Sequence, residues 1–131
     1  MRKSILALAV AGAAVMAAAP AGAQPARQQC LRANQIDSFS SIRGTDRAIV
    51  VTDRFRNRYR VSFNAPCDDV DFNGAVQIRS LSGSGLSCIT RGDLVISRSV
   101  TGWRDRCVIT RVEPYTRQME RADRARERYW R

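Results

Sequence analysis

The 131-residue chain carries 22 basic and 12 acidic residues, no histidine, and a formal net charge of +10. Without histidine it has no Ser-His-Asp triad, no Cys-His dyad and no His-metal centre. The length suits one domain with a modest core, and the charge suits acidic or polyanionic partners.

The N-terminus has the three-part grammar of a secretory signal peptide: a cationic Met1-Arg2-Lys3, an uncharged Ala/Leu/Val-rich run from Ser4 to Ala19, and a small-x-small site at Ala21-Gly22-Ala23. The apolar run is shorter than the roughly 20 residues that span a bilayer. Residues preceding Cys30 are Arg27-Gln28-Gln29, which is no lipobox. Cleavage is expected after Ala23, giving a periplasmic or secreted product that starts at Gln24, with no transmembrane segment after cleavage. Lys3 is the only lysine, so the remaining cations are all arginine. A GC-rich genome explains that usage, but guanidinium forks also bind carboxylate and phosphate bidentately.

An exported chain with four cysteines, Cys30, Cys67, Cys88 and Cys107, is expected to form two disulfides. Their wide spacing argues against zinc, and no metal or cofactor is expected. Of the three connectivities we favour Cys30–Cys107 with Cys67–Cys88: the first would tie the opening segment to the last strand, the second would close a middle hairpin.

Residues 24–29 form a polar lead-in, expected to be disordered. Residues 30–114 are expected to form the disulfide-stabilised domain. Ile36 to Ile42 is the least regular strand candidate. Arg47 to Thr52 holds Ala48-Ile49-Val50-Val51, a run that fits a buried strand. Arg58 to Asn64 alternates, with Tyr59, Val61 and Phe63 on one face and Arg58, Arg60 and Ser62 on the other. Asp53 to Asn57 would connect these two as an antiparallel hairpin. Asn73-Gly74 signals a turn before Ala75 to Leu81. Ser82-Gly83-Ser84-Gly85 turns into Leu86 to Ile89, Arg91-Gly92-Asp93 into Leu94-Val95-Ile96, and Cys107 to Val112 closes the series. The fold expected is mainly β: a small antiparallel sheet of about six strands curled into a barrel or sandwich. Residues 115–131 form a basic tail. Within it, Arg117 to Arg131 has helix-forming composition, Glu120–Arg124 and Glu127–Arg131 pairs, and almost no apolar stripe. It is expected to be a solvated, frayed helix or a disordered tail.

Candidate chemistry is sparse, and no catalytic residue is assigned. Asp68, Asp69 and Asp71 are the densest acidic cluster, but they lack the Gly and distal Glu of a calcium loop and suit a solvated turn. A carboxylate-dependent hydrolase on these three residues is the alternative function; an inhibitory envelope protein with incidental charge is another. The Ser-Gly-Ser-Gly run lacks the Lys and helix of a phosphate loop. The anion-binding candidates are Arg54, Arg56, Arg58 and Arg60, which alternate around the expected hairpin, interleaved with Phe55 and Tyr59; alternating residues of a strand share a face, so several of these guanidinium groups are expected to form a stripe. Such a stripe suits an anionic envelope component such as lipopolysaccharide phosphates, an acidic protein, or a nucleic acid backbone.

One resemblance emerges from the order of short elements. Cys30 with Ile36, the Ile49-Val50-Val51 strand, Tyr59-Arg60-Val61 before Pro66-Cys67, Cys88 before Gly92-Asp93, and Cys107-Val108-Ile109 leading to Val112-Glu113-Pro114 resemble a family of small exported Gram-negative bacterial proteins carrying only a domain-of-unknown-function label. The match covers roughly residues 30–114. It implies export and one disulfide-stabilised domain, and brings no catalytic residues.

Overall fold

The computed structural model describes residues 30–67, 70, 75–99, 101–102 and 104–129. The expected signal peptide and lead-in, and the acidic cluster Asp68, Asp69 and Asp71, lie outside them.

Strand β2 (Ala48–Asp53) is buried at five of its six positions, which explains its unbroken apolar run. Ile49 and Val51 face the main core, while Ala48 and Val50 turn the other way and join Ile42 in a second cluster, with Tyr115 packed against it. A strand covered on both faces has no reason to alternate. Strand β3 (Arg58–Phe63) faces the apolar core on one side only, and there the alternation holds: Tyr59, Val61 and Phe63 are buried.

Six strands follow in chain order: β1 (Ile36–Ser41), β2, β3, β4 (Ala75–Arg79), β5 (Leu94–Arg98) and β6 (Arg104–Pro114). Their spatial order is β1-β2-β3-β6-β5-β4, every pair is antiparallel, and the sheet curls into a nearly closed, barrel-like form. It consists of two three-stranded meanders joined edge to edge by β6. The first half of β6, Arg104–Val108, pairs with β5; the second half, Ile109–Pro114, pairs with β3. Serving two partners end to end makes β6 longer than the Cys107 to Val112 run that its apolar residues suggest. A bulge at Ser62/Phe63 bends the sheet beside this changeover.

The core collects residues from every strand together with Leu31, Cys67 and Ile89. Leu86 to Ile89 is not a strand. Residues 80–93 form a loop that is tied to the N-terminal segment by the isolated bridge Arg32↔Cys88, beside Ile89 N–H donating to Leu31 C=O at 2.7 Å, and to β6 by backbone hydrogen bonds of Gly92 and Asp93 with Ile109. Ile89 is apolar because it plugs the core. The loop ends are held by Asp93, 5% exposed, whose carboxylate accepts from the backbone N–H groups of Leu81 and Thr90, each at 2.9 Å.

Two disulfides form, but not with the favoured connectivity. Cys30 bonds to Cys88 and Cys67 to Cys107, with Cα separations of 5.2 and 6.0 Å. The cause is the β3–β6 register. Pairing of Phe63 with Ile109 carries the chain beyond β3 back along the start of β6, bringing Cys67 to Cys107. The Arg32↔Cys88 bridge leaves Cys30 beside Cys88. Among the described residues no hairpin joins Cys67 with Cys88.

The bonds span 58 and 40 residues, and each restricts the unfolded chain by about 4 kcal/mol. They differ in access: Cys67 and Cys107 are buried, whereas Cys88 is exposed. Peptide mapping of unreduced protein should recover Cys30–Cys88 and Cys67–Cys107. Under mild reductant Cys30–Cys88 should open first, leaving a folded one-disulfide species. Recovery of a Cys30–Cys107 peptide would contradict the β3–β6 register.

Candidate functional site

The hairpin between β2 and β3 is built on one buried carboxylate. Asp53, 2% exposed, accepts through Oδ1 from the backbone N–H groups of Phe55 and Asn57, each at 2.8 Å. Its Oδ2 accepts from Asn57 Nδ2 at 2.9 Å and lies 3.5 Å from the Tyr59 hydroxyl. Burial, followed by the Asp53 charge and hydrogen bond, raises the Tyr59 pKa. To close this turn Arg56 adopts φ 69°, a left-handed conformation uncommon outside glycine. The extended backbone that a four-arginine stripe requires is therefore interrupted. Arg54 and Arg56 stand at the exposed turn with Phe55, whereas Arg58 and Arg60 project from the outer face of β3. The four do not share one strand face.

Arg58 and Arg60 meet the C-terminal helix α1 (Arg117–Tyr129). Thr116 starts it, its hydroxyl accepting from Met119 N–H at 3.2 Å. Only one residue of α1 is buried, and it is a carboxylate: Asp123, 5% exposed. Asp123 accepts from the Tyr115 hydroxyl at 3.0 Å and pairs with Arg60 at 3.4 Å and Arg126 at 3.5 Å. One turn earlier Glu120 pairs with Arg124 at 2.8 Å and Arg58 at 3.1 Å; one turn later Glu127 pairs with Arg43 at 2.8 Å. Arg58 also lies 4.8 Å from the centre of the Tyr115 ring. The Arg124 hydrogen bond, outweighing desolvation and assisted by Arg58, holds Glu120 below its usual carboxylate range. Burial first, then the Asp123 hydrogen bond, pushes Tyr115 up to about 12. The polar helix expected over this tail forms, and it is docked by charge rather than frayed.

Hollows indent the outside of the sheet among the described residues, and three of them differ in charge balance. The one beneath α1 sets Arg43, Arg58 and Arg124 against Glu120, Asp123 and Glu127. A second, beside β3 and β6, holds Arg60, Arg91 and Arg111 with Glu113. The third, of about 410 Å³, is lined by Gln77 and Arg79 of β4, Ile96 and Arg98 of β5, and Arg104 and Arg106 of β6. Among the described residues its lining holds four arginines and no acid. None of the four makes an ion pair among the described residues. Arg98 and Arg104 are direct cross-strand partners, an arrangement of like charges that opposes sheet formation. Sequence reasoning missed this cluster. Its only local signal was the Arg104-x-Arg106 alternation, and the other two arginines arrive from separate strands.

Among the described residues no group of three or more His, Cys, Asp or Glu side chains is placed to hold a metal ion. Asp53 and Asp93 are occupied with turn amides, and Asp123 with α1 docking. A family model described as a family of unknown function (DUF6491) matches residues 1–129 of the chain. No curated protein and no solved structure matches it.

Charge docking of α1 has unequal parts. Asp123→Ala strands the Tyr115 hydroxyl and the Arg60 guanidinium and should weaken α1 docking by about 2 kcal/mol. Arg43→Ala, in a pair whose arginine is 68% exposed, should cost at most about 0.5 kcal/mol. Amide exchange of α1 measures both. Raising a tyrosine pKa gives stability that is complete below about pH 10 and lost as pH rises toward 12. Alkaline titration should therefore loosen α1 in that window, and Tyr115→Phe should remove part of the loss; Tyr59, shifted in the same direction, supplies another part.

Proposed function

The chain belongs to this family of unknown function, and we propose that it is a non-enzymatic binding module, exported to the periplasm or medium, that holds a polyanionic partner weakly on the outer face of β4, β5 and β6. The observation that carries this reading is the set of four arginines, Arg79, Arg98, Arg104 and Arg106, with no carboxylate among them. A sheet that opposes Arg98 to Arg104 without a neutralising side chain gains stability when an anion supplies the missing charge. Elsewhere on this outer surface, over Arg58 and Arg60, the protein provides its own carboxylates through α1.

Two disulfides suit an oxidising compartment, and no helix among the described residues is long and apolar enough to cross a membrane. Together with the Met1-to-Ala23 grammar these support export. The partners that fit are polyphosphorylated envelope components, acidic proteins and nucleic acid backbone, in the sense that each offers closely spaced oxyanions.

Binding to heparin or lipopolysaccharide should fall steeply with salt, each oxyanion contact contributing close to one unit of log–log slope. Replacing Arg98 and Arg104 with Gln should flatten the slope by about two units. Replacing the exposed helix residues Arg121 and Arg128 with Gln removes the same charge and should leave the slope nearly unchanged. Equal losses from both double variants would mean diffuse attraction and no site. Intact mass of the native product should correspond to a chain starting at Gln24; retention of Met1 to Ala23 would refute export with cleavage.

A further inference from the structure

We infer that the hollow between β4, β5 and β6 is a site for a ligand bearing two separate oxyanion groups, phosphate or sulfate, on a sugar-sized body. This rests on the anion-binding reading above and specifies what the site takes.

The strand register fixes where the four guanidinium groups originate. Arg98 of β5 lies directly opposite Arg104 of β6, so their Cβ atoms stand about 5 Å apart. Arg106 follows on the same face of β6, two residues along, opposite Ile96. The Arg98–Arg104 pair stands at one end of the hollow, and Arg106 shares the middle row with Ile96 and Gln77. Arg79 lies on β4 opposite Leu94, which is four residues along β5 from Arg98. At about 3.3 Å per residue that places Arg79 roughly 13 Å along the strand direction from the Arg98–Arg104 pair. Ile96 and Gln77, themselves cross-strand partners, occupy the interval.

Three cations, Arg98, Arg104 and Arg106, therefore lie on the adjacent strands β5 and β6 within two residues of one another, whereas Arg79 stands alone on β4, separated from Arg106 by the width of β5 with Ile96 and Gln77 alongside. One phosphate or sulfate is fully served by two or three guanidinium forks, which leaves Arg79 without a counterion. A second oxyanion carried on the same molecule supplies one. The volume agrees: about 410 Å³ lies within the range of small-molecule sites and far exceeds one oxyanion. Ile96 and the aliphatic arginine stems give the body of the ligand an apolar floor, and the Gln77 amide can hydrogen-bond a hydroxyl. A long uniform polyanion would use the four arginines as a charge field and gain nothing from their division.

The test compares probes of one and two phosphates at constant ionic strength by calorimetry: inorganic phosphate, glucose 6-phosphate and fructose 1,6-bisphosphate. The bisphosphate should bind about tenfold more tightly than either monophosphate, because its second group binds intramolecularly. Arg79→Gln should abolish that advantage and leave monophosphate binding unchanged, whereas Arg98→Gln should weaken all three. Both positions are exposed, and circular dichroism confirms that the variants fold. Vesicles of phosphatidylcholine with and without a bisphosphorylated inositol lipid identify the source: Arg79-dependent binding to the doped vesicles identifies a lipid headgroup as a competent source, and binding confined to the soluble probe identifies a free ligand. Equal affinity for one and two phosphates, or equal loss of all three probes in Arg79→Gln, overturns the inference. Salt-sensitive heparin binding that survives such a result would leave the broader anion-binding reading standing.

Discussion

Pairing of β6 with β5 along its first half and with β3 along its second is the constraint on which the rest of the molecule depends. Each meander alone is a three-stranded sheet with an open edge. β6 turns the two into one curled sheet with a shared core, in which Val61 and Ile109 meet Val95 and Cys107. The same register brings Cys67 to Cys107 and decides which β6 residues point outward. Arg104 and Arg106 fall on the outer face because Cys107 and Ile109 fall on the inner one. A one-residue slip would invert every one of these assignments, so core, disulfide and surface charge are specified together.

The outer surface uses arginine in two ways. Beneath α1 it is neutralised from within the chain, and the buried member of that contact is a carboxylate rather than an apolar side chain. A helix polar all round has little hydrophobic reason to dock. Asp123 supplies another reason by giving Tyr115 and Arg60 a common acceptor, and Tyr115 in turn packs against the cluster of Ile42, Ala48 and Val50. On the β4–β5–β6 face the arginines have no such acceptor among the described residues. Proteins ordinarily disperse or pair like charges on a sheet, and a local exception that weakens folding is the pattern expected where a surface serves a ligand.

Much of the fold was legible because it depends on local alternation. Tyr59, Val61 and Phe63 announced β3, and Ile49-Val50-Val51 announced a strand covered on both sides. What escaped depends on distant partners. The disulfide pairing follows from register between strands more than 40 residues apart, which no local pattern encodes. Ile89 looks like part of a strand, since a single buried plug and a short β run have the same apolar signature. Asp123 is one of three acids in a basic helix, and nothing in its neighbours distinguishes the buried one. The arginines of the third hollow come from three strands, whereas Arg54 to Arg60, conspicuous in sequence, are divided by the turn at Arg56.

The central claim is that one part of the arginine surface is filled by the protein's own helix and another is open to an anion. Arginine-directed modification with phenylglyoxal, read residue by residue by mass spectrometry, tests it most directly. In free protein Arg60, 17% exposed in its pair with Asp123, should react slowly, while Arg79, Arg98, Arg104 and Arg106 react fast. A polyanion should protect those four and leave Arg60 unchanged. Rapid modification of Arg60 in free protein, or protection spread evenly over all exposed arginines, would contradict the account.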